Sequence, residues 1–231
     1  MIWNYFDKAY VINLPHRTGR LQRITKRLND QNIPFEVIEG IAPNDRGCYS
    51  NKGHNGAALS HLKIWEMISK QDIDNAIIFE DDALLRDDCS EIMEDKVVGQ
   101  LKATNWDILY LGLYLVNKTN SNVSANLKKF LYGAHLHAYA VKKTCAAKMS
   151  KHIRLIARSG NQTPIDGLMN KLTYLVKLHT VPLLAVQEPS LSDTGGGIRL
   201  DEYFSKFNEQ EFLDNCRELK LWKTNSNEIY K

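Results

Sequence analysis

No run in this 231-residue chain approaches the roughly 18 consecutive apolar residues that a membrane-spanning helix requires. The opening Met1-Ile-Trp-Asn-Tyr-Phe-Asp-Lys8 has no basic segment followed by an apolar one, so no secretory leader is expected. Cysteine is sparse and scattered: Cys48, Cys89, Cys145 and Cys216 form no Cys-x-x-Cys pair, which argues against a structural zinc site and fits a reducing compartment. A cytoplasmic protein is the expectation, and the sequons at Asn117, Asn122 and Asn161 then read as coincidence. Neither a Gly-x-Gly-x-x-Gly nor a Walker-type loop occurs, which leaves dinucleotide and P-loop enzymes without support. A Gly-x-Ser-x-Gly nucleophile elbow is also missing. The net charge of +3 is too small to argue for nucleic acid or an anionic membrane as partner. There is no internal repeat.

What is present is an ordinary globular composition, 43% hydrophobic and 25% charged, in a chain long enough to bury the core of one α/β domain. Buried-type strands are expected over residues 8–14, 34–40, 76–79, 106–112 and 133–142, with one or two more over 178–186. Helical periodicity marks residues 19–31, with Thr18 as N-cap and Leu21, Ile24 and Leu28 on one stripe. Further helices are expected over 57–70, 89–101, 144–156 and 167–176, and loops over 42–56 and 117–129. The alternation of strand and helix predicts a largely parallel sheet covered by helices. Residues 1–198 are read as that domain. Residues 199–231 are read as a C-terminal arm with one short helix, and Gly195-Gly-Gly197 before it as a pliable lid or exit.

The chain is organised around Asn75-Ala-Ile-Ile-Phe-Glu-Asp-Asp82. A buried-type strand here ends in three adjacent acids, and like charges in a poorly solvated place raise one another's pKa. A hard divalent cation relieves this by taking carboxylate oxygens, and it can also hold substrate phosphates. Continued strand alternation would point Glu80 and Asp82 one way and Asp81 the other. The plain alternative is a solvated acidic turn.

Other candidates are weaker taken singly. Arg17 and Arg20 sit at a strand-to-helix turn where phosphate or ribose commonly docks, and Asn13 is the polar residue of the first strand. Ser60 and His61 are placed near the start of the 57–70 helix, where free N–H groups favour an anion. His135, His137 and Tyr139 share a face if residues 133–142 alternate, and the two histidines are either cation ligands or partners of loop carbonyls. Asp166, at the start of a helix, is either an N-cap or a functional acid.

Taken together, these stretches resemble glycosyltransferase family 25, the lipopolysaccharide and collagen galactosyltransferase group. Val11-Ile-Asn-Leu-Pro-His-Arg17 with Arg20 is similar to the family's Asn-Leu-x-x-Arg-x-x-Arg start, and Gly56-Ala-Ala-Leu-Ser-His-Leu-Lys-Ile-Trp-Glu66 to its Ser-His helix. Ile77-Ile-Phe-Glu-Asp-Asp-Ala83 resembles its Glu-Asp-Asp block; Trp106–Gly112, Gly133–Val141 and Pro164-Ile-Asp166 follow in the family's order. His54 and Ala57 stand where the family has an acid and a cysteine. The resemblance covers roughly residues 8–190.

The resemblance implies a GT-A-like, Rossmann-type α/β fold with a mainly parallel central sheet. It also implies a UDP-sugar donor (galactose or glucose), Mn²⁺ or Mg²⁺, and inverting transfer to a glycan, lipooligosaccharide or collagen-type hydroxylysine. On that basis Asp82 and Glu80 are metal candidates, with His135, His137 and Asp193 completing the set, and Asp81 orients one of the acids. Asn13, Arg17, Arg20, Ser60 and His61 hold or line the donor, and Asp166 is the candidate base. The competing expectations are a non-catalytic UDP-sugar or glycan-binding domain and a metal-dependent phosphoesterase or nucleotidyltransferase. A lipid-linked acceptor would bring the protein to a membrane surface.

Overall fold

The computed structural model describes residues 2–115, 121–158 and 163–187. The expectations for the Gly195–Gly197 lid, Asp193 and the C-terminal arm lie outside the described residues. After a 3-10 turn at Ile2–Tyr5 the chain runs through β1 (Lys8–Asn13), α1 (Thr18–Asp30), β2 (Glu36–Glu39), α2 (Lys52–Lys70) and β3 (Asn75–Glu80). A short strand β4 (Ala83–Leu85) follows, then α3 (Cys89–Ile92) and α4 (Gly99–Lys102), which flank a π-helical stretch, Met93–Val98. The remainder is β5 (Ile108–Leu115), β6 (Ser121–Asn122), β7 (Leu127–Lys129), β8 (Gly133–Lys142), α5 (Lys143–Arg158), α6 (Ile165–Asn170), β9 (Lys177–Thr180) and β10 (Ala185–Gln187).

Eight strands form one sheet in the order β2-β1-β3-β8-β5-β9-β7-β6. Only β8 and β7 run against the others, so the sheet is mainly parallel as expected. The chain steps from β1 out to β2 and returns across β1 to β3. One crossover helix consequently covers each face. Ile24 and Leu28 of α1 pack with Val11, Phe79 and Trp106, whereas Ile64, Trp65 and Ile68 of α2 pack with Tyr10, Ile78, Tyr139 and, from α5, Met149. Strand alternation sorts β3 the same way: Ile77 and Phe79 go to the first face, Ala76 and Ile78 to the second. Where crossovers diverge in this manner, a crevice opens beyond the carboxyl ends of the strands. Asn13 and Glu80 are the last residues of β1 and β3.

Several boundaries differ from expectation, each for a local reason. Helix α2 begins at Lys52, five residues before the apolar periodicity starts, because the Asn51 side chain accepts the His54 N–H and caps it. The N-cap of α1 is Arg17, and Thr18 is its first residue. Within the stretch read as a loop over 117–129, β6 and β7 form a small antiparallel pair. Strand β4 had no signal of its own; it exists through its antiparallel ladder with β10.

Candidate functional site

A cavity of about 480 Å³ opens at the carboxyl ends of β1, β2 and β3. That is within the range of small-molecule sites. One wall is the 40–43 segment after β2 together with the first turns of α2; the opposite wall is His135, Leu136 and Pro164–Asp166. Glu80, Asp81 and Asp82 form the floor, with Arg20 and Gln187 beside them. Gly56 permits the first wall: a Cβ there would lie 2.5 Å from the Ile41 carbonyl oxygen, so only glycine lets α2 close on this segment.

The triplet does not continue the strand. β3 ends at Glu80, and Asp81 and Asp82 turn together toward the cation of α1: Arg20 Nη1 lies 3.0 Å from Asp81 Oδ1 and 3.3 Å from Asp82 Oδ2. The expected split of Glu80 and Asp82 from Asp81 is thereby replaced by Glu80 apart from the two aspartates. Asn13 Nδ2 donates to Asp81 Oδ2 at 2.7 Å and to the Arg17 carbonyl at 3.3 Å, tying the floor to the β1–α1 turn. From the far end of the described chain, Gln187 Nε2 donates to Asp82 Oδ2 at 3.2 Å.

Glu80 has a different partner. His61, buried on α2, places Nε2 2.9 Å from Glu80 Oε1 and Nδ1 2.9 Å from the Tyr139 hydroxyl. Trp65 Nε1 donates to the same hydroxyl at 2.8 Å. The acids therefore experience opposite fields. Burial works to raise the Glu80 pKa, but the hydrogen bond with His61 holds it below the usual value. Burial raises Asp81 despite Arg20 and Asn13. Burial, followed by the charge of Glu80, pushes Asp82 up to about 7.

The opposite wall rests on a distorted strand. Between the pairs Gly112↔Ala138 and Tyr114↔Ala134, one residue of β5 faces three of β8. His135 sits in this bulge with φ +71°, a conformation that a non-glycine residue adopts only when its surroundings hold it. Helix α6 supplies the hold: Asp166 Oδ2 accepts the His135 N–H at 3.0 Å, and Asn170 bonds both the N–H and the C=O of Gly133. The other Asp166 oxygen accepts the Gly167 N–H at 2.7 Å. Pro164, not Asp166, is the N-cap of α6.

With this geometry in view, residues 6–169 match the sequence pattern of glycosyltransferase family 25 (LPS biosynthesis protein). The chain belongs to glycosyltransferase family 25. The lipooligosaccharide biosynthesis protein lic2B of Haemophilus influenzae is 28% identical over 208 residues, covering 79% of this chain and 76% of that protein. The inactive glycosyltransferase 25 family member 3 of Mus musculus is 28% identical over 137 residues, 48% of this chain and 23% of its own. Procollagen galactosyltransferase 1-B of Xenopus laevis is 25% identical over 132 residues, 46% of this chain and 21% of its own. The chain thus spans under a quarter of the length of the two animal relatives.

Of the residues singled out in this family 25 sequence, Arg20, Ser60, His61, Glu80, Asp81, Asp82, His135 and Asp166 line one cavity. Asn13, Arg17 and His137 do not line it. Asn13 acts on Asp81 from behind, and Arg17 occupies the N-cap position of α1. Ser60 and His61 are not at a helix N-terminus, since α2 starts at Lys52 and the dipole's reach is about one turn. Ser60 Oγ donates to the Gly56 carbonyl and accepts the Ile41 N–H, which makes it a brace of the wall. The bulge also breaks the shared face of His135, His137 and Tyr139. Tyr139 enters the α2 side, while His137 Nε2 lies against Gly112 and the Ala185 carbonyl, with neither ring nitrogen in a hydrogen bond of ordinary geometry to any described residue. Gln187 and the Trp65–Tyr139 pair had no signal as site residues in the sequence.

The donor set has the character that a divalent cation requires. Among the described residues the buried Asp82 Oδ1 has no hydrogen-bond partner, and the raised pKa of Asp82 marks an undercompensated acid. Hard oxygen donors with excess negative charge fit Mn²⁺ or Mg²⁺. His137 does not join them, and among the described residues no group of three or more His, Cys, Asp or Glu side chains stands arranged around a common metal position. No helix among them is long and apolar enough to cross a membrane.

Proposed function

We propose that the cavity is the donor site of a hexosyltransferase that moves galactose or glucose from a UDP-sugar to a glycan, lipooligosaccharide or collagen-type hydroxylysine acceptor, with inversion. One observation carries the reading: in a family 25 chain, three acids and Arg20 converge at the carboxyl ends of parallel strands. The acceptor classes are supported by relatives named for lipooligosaccharide biosynthesis and for procollagen galactosyl transfer.

In this reaction the acceptor hydroxyl oxygen bonds to the anomeric carbon opposite the leaving group. The bond from that carbon to the diphosphate oxygen breaks, the electron pair leaves on UDP, and the acceptor proton passes to a base. Asp166 takes that proton in our reading: it lines the wall across from the acids, and each of its oxygens keeps lone-pair capacity beyond the one amide it accepts. Arg20 lies beside the acids, where negative charge on the departing UDP would grow. Asp82 and Glu80 would hold Mn²⁺ or Mg²⁺, which when bound neutralises diphosphate charge. Asp81, gripped by Arg20 and Asn13, positions that pair.

A non-catalytic UDP-sugar-binding domain is the second reading, favoured by the relative named inactive. UDP release from a panel of UDP-sugars, with Mn²⁺ or with EDTA, separates the two. Metal-dependent turnover of one UDP-hexose is expected. Tight UDP-sugar binding with no release, even with lipooligosaccharide or collagen peptide added, would move the assignment to the binding domain.

A further inference from the structure

The residues behind Glu80 form a hydrogen-bonded line whose proton positions are determined by elementary donor and acceptor counting. Trp65 Nε1 is a donor only, so at 2.8 Å it gives its hydrogen to the Tyr139 oxygen. Tyr139 has one proton of its own, and the acceptor beside it is His61 Nδ1 at 2.9 Å. At the other end, His61 Nε2 faces Glu80 Oε1 at 2.9 Å. If Nε2 were bare, its lone pair would face a carboxylate. If Nδ1 carried a hydrogen, both Trp65 and His61 would donate to Tyr139, whose own proton would be stranded among buried side chains. Trp65, Tyr139 and His61 are 0%, 0% and 1% exposed, so no water is at hand to relieve either fault.

We infer that Trp65 and Tyr139 are positioning residues, which hold His61 as the neutral Nε2–H tautomer so that it presents a fixed donor to Glu80 in the cavity floor. The direction of the line, Trp65 to Tyr139 to His61 to Glu80, aims every hydrogen at the carboxylate. One Glu80 oxygen is thereby engaged and its rotamer fixed. A histidine in this arrangement braces an acid rather than touching the donor sugar. The inference rests on the proposed donor site only for its effect on turnover; the tautomer stands independently of it.

The test is long-range ¹H–¹⁵N NMR of the histidine rings in the full chain at pH 7.5, with His61→Gln identifying the His61 signals. The expected wild-type pattern is protonated Nε2 and bare Nδ1. A protonated Nδ1, in either the other neutral tautomer or the imidazolium, would overturn the inference. Tyr139→Phe removes the Nδ1 donor and is expected to convert the single tautomer to a mixture. Trp65→Phe, which keeps the ring packing, is expected to leave the Nε2–H form in place but broadened. An unchanged pattern in a folded Tyr139→Phe protein would show that Tyr139 does not set the tautomer. In the donor assay Tyr139→Phe is expected to lower kcat about tenfold with little change in KM, the usual size of an effect passed through a supporting residue. If no UDP-sugar is turned over by the wild type while the tautomer is as expected, the transferase reading fails and the positioning role does not.

Discussion

The first and second halves of the chain are built differently. From β1 to β3 the strands are parallel, their pairings run without register shifts, and α1 and α2 cross over on opposite faces. From β5 to β10 the order is interleaved, β5 and β8 pair through two register shifts, and His135 adopts a positive φ. The regular half brings the three acids and Arg20 to one end; the irregular half supplies the facing wall, the Tyr139 support and Gln187. Regular crossovers place charge reliably. Aiming single groups into a cavity required a strand bent by a bulge and held by the side chains of α6.

The largest expected effect comes from removing the charge that the regular half delivers. Asp82→Ala should reduce donor turnover by about 10² or more while leaving the fold intact, as expected for loss of a group handling transition-state charge. Turnover measured alongside a circular dichroism melt checks both points; full activity in a folded variant would remove Asp82 from the chemistry.

The next effect belongs to the irregular half. Gly112→Ala places a Cβ 2.2 Å from His137 Nε2 and 2.3 Å from the Ala185 carbonyl oxygen, and a backbone atom cannot swing away as a flexible side chain can. A loss of about 1–3 kcal/mol is expected in urea unfolding.

A third, pH-dependent effect arises at Lys177 of β9. Its ammonium is buried and donates to the carbonyls of Leu131 and Met169, with no carboxylate against it among the described residues, and burial lowers its pKa to about 8 from the ordinary 10.5. Between those values the unfolded chain holds the extra proton, so this group's contribution makes stability rise as pH climbs from about 8 to 10.5. The slope reaches at most about 1.4 kcal/mol per pH unit. It should vanish in Lys177→Met, with urea midpoints read across that window.

The smallest effect returns to the regular half. A methyl group added at Gly19 of α1 would meet only the far end of Arg23, at 3.7 Å, so Gly19→Ala should gain about 0.5 kcal/mol through helix propensity alone. A destabilised Gly19→Ala protein would mean that the regular half is packed as tightly as the irregular one.

Legibility in the sequence follows the same division. The strand of residues 75–80 is readable as an apolar run ending in acids, and α1 from the spacing of Leu21, Ile24 and Leu28, because both patterns are local. The start of α2 is not readable, because its first turn, Lys52 to Gly56, carries no apolar stripe and depends on a single Asn51 cap. A shared face for His135, His137 and Tyr139 requires unbroken alternation, and the bulge in β8 breaks it. Asp166 gives a helix-start signal, but its carboxylate reaches across to the His135 amide.

By itself the sequence determined the parallel core, the family and the three adjacent acids, because period, adjacency and motif order are properties of neighbouring residues. Which acid meets which partner was decided only by the tertiary structure. Arg20 lies 61 residues from Asp81, Tyr139 lies 78 from His61, and Gln187 lies 105 from Asp82. Those contacts exist because strand order and one bulge bring distant side chains within hydrogen-bonding reach, and no local pattern along the chain encodes that distance.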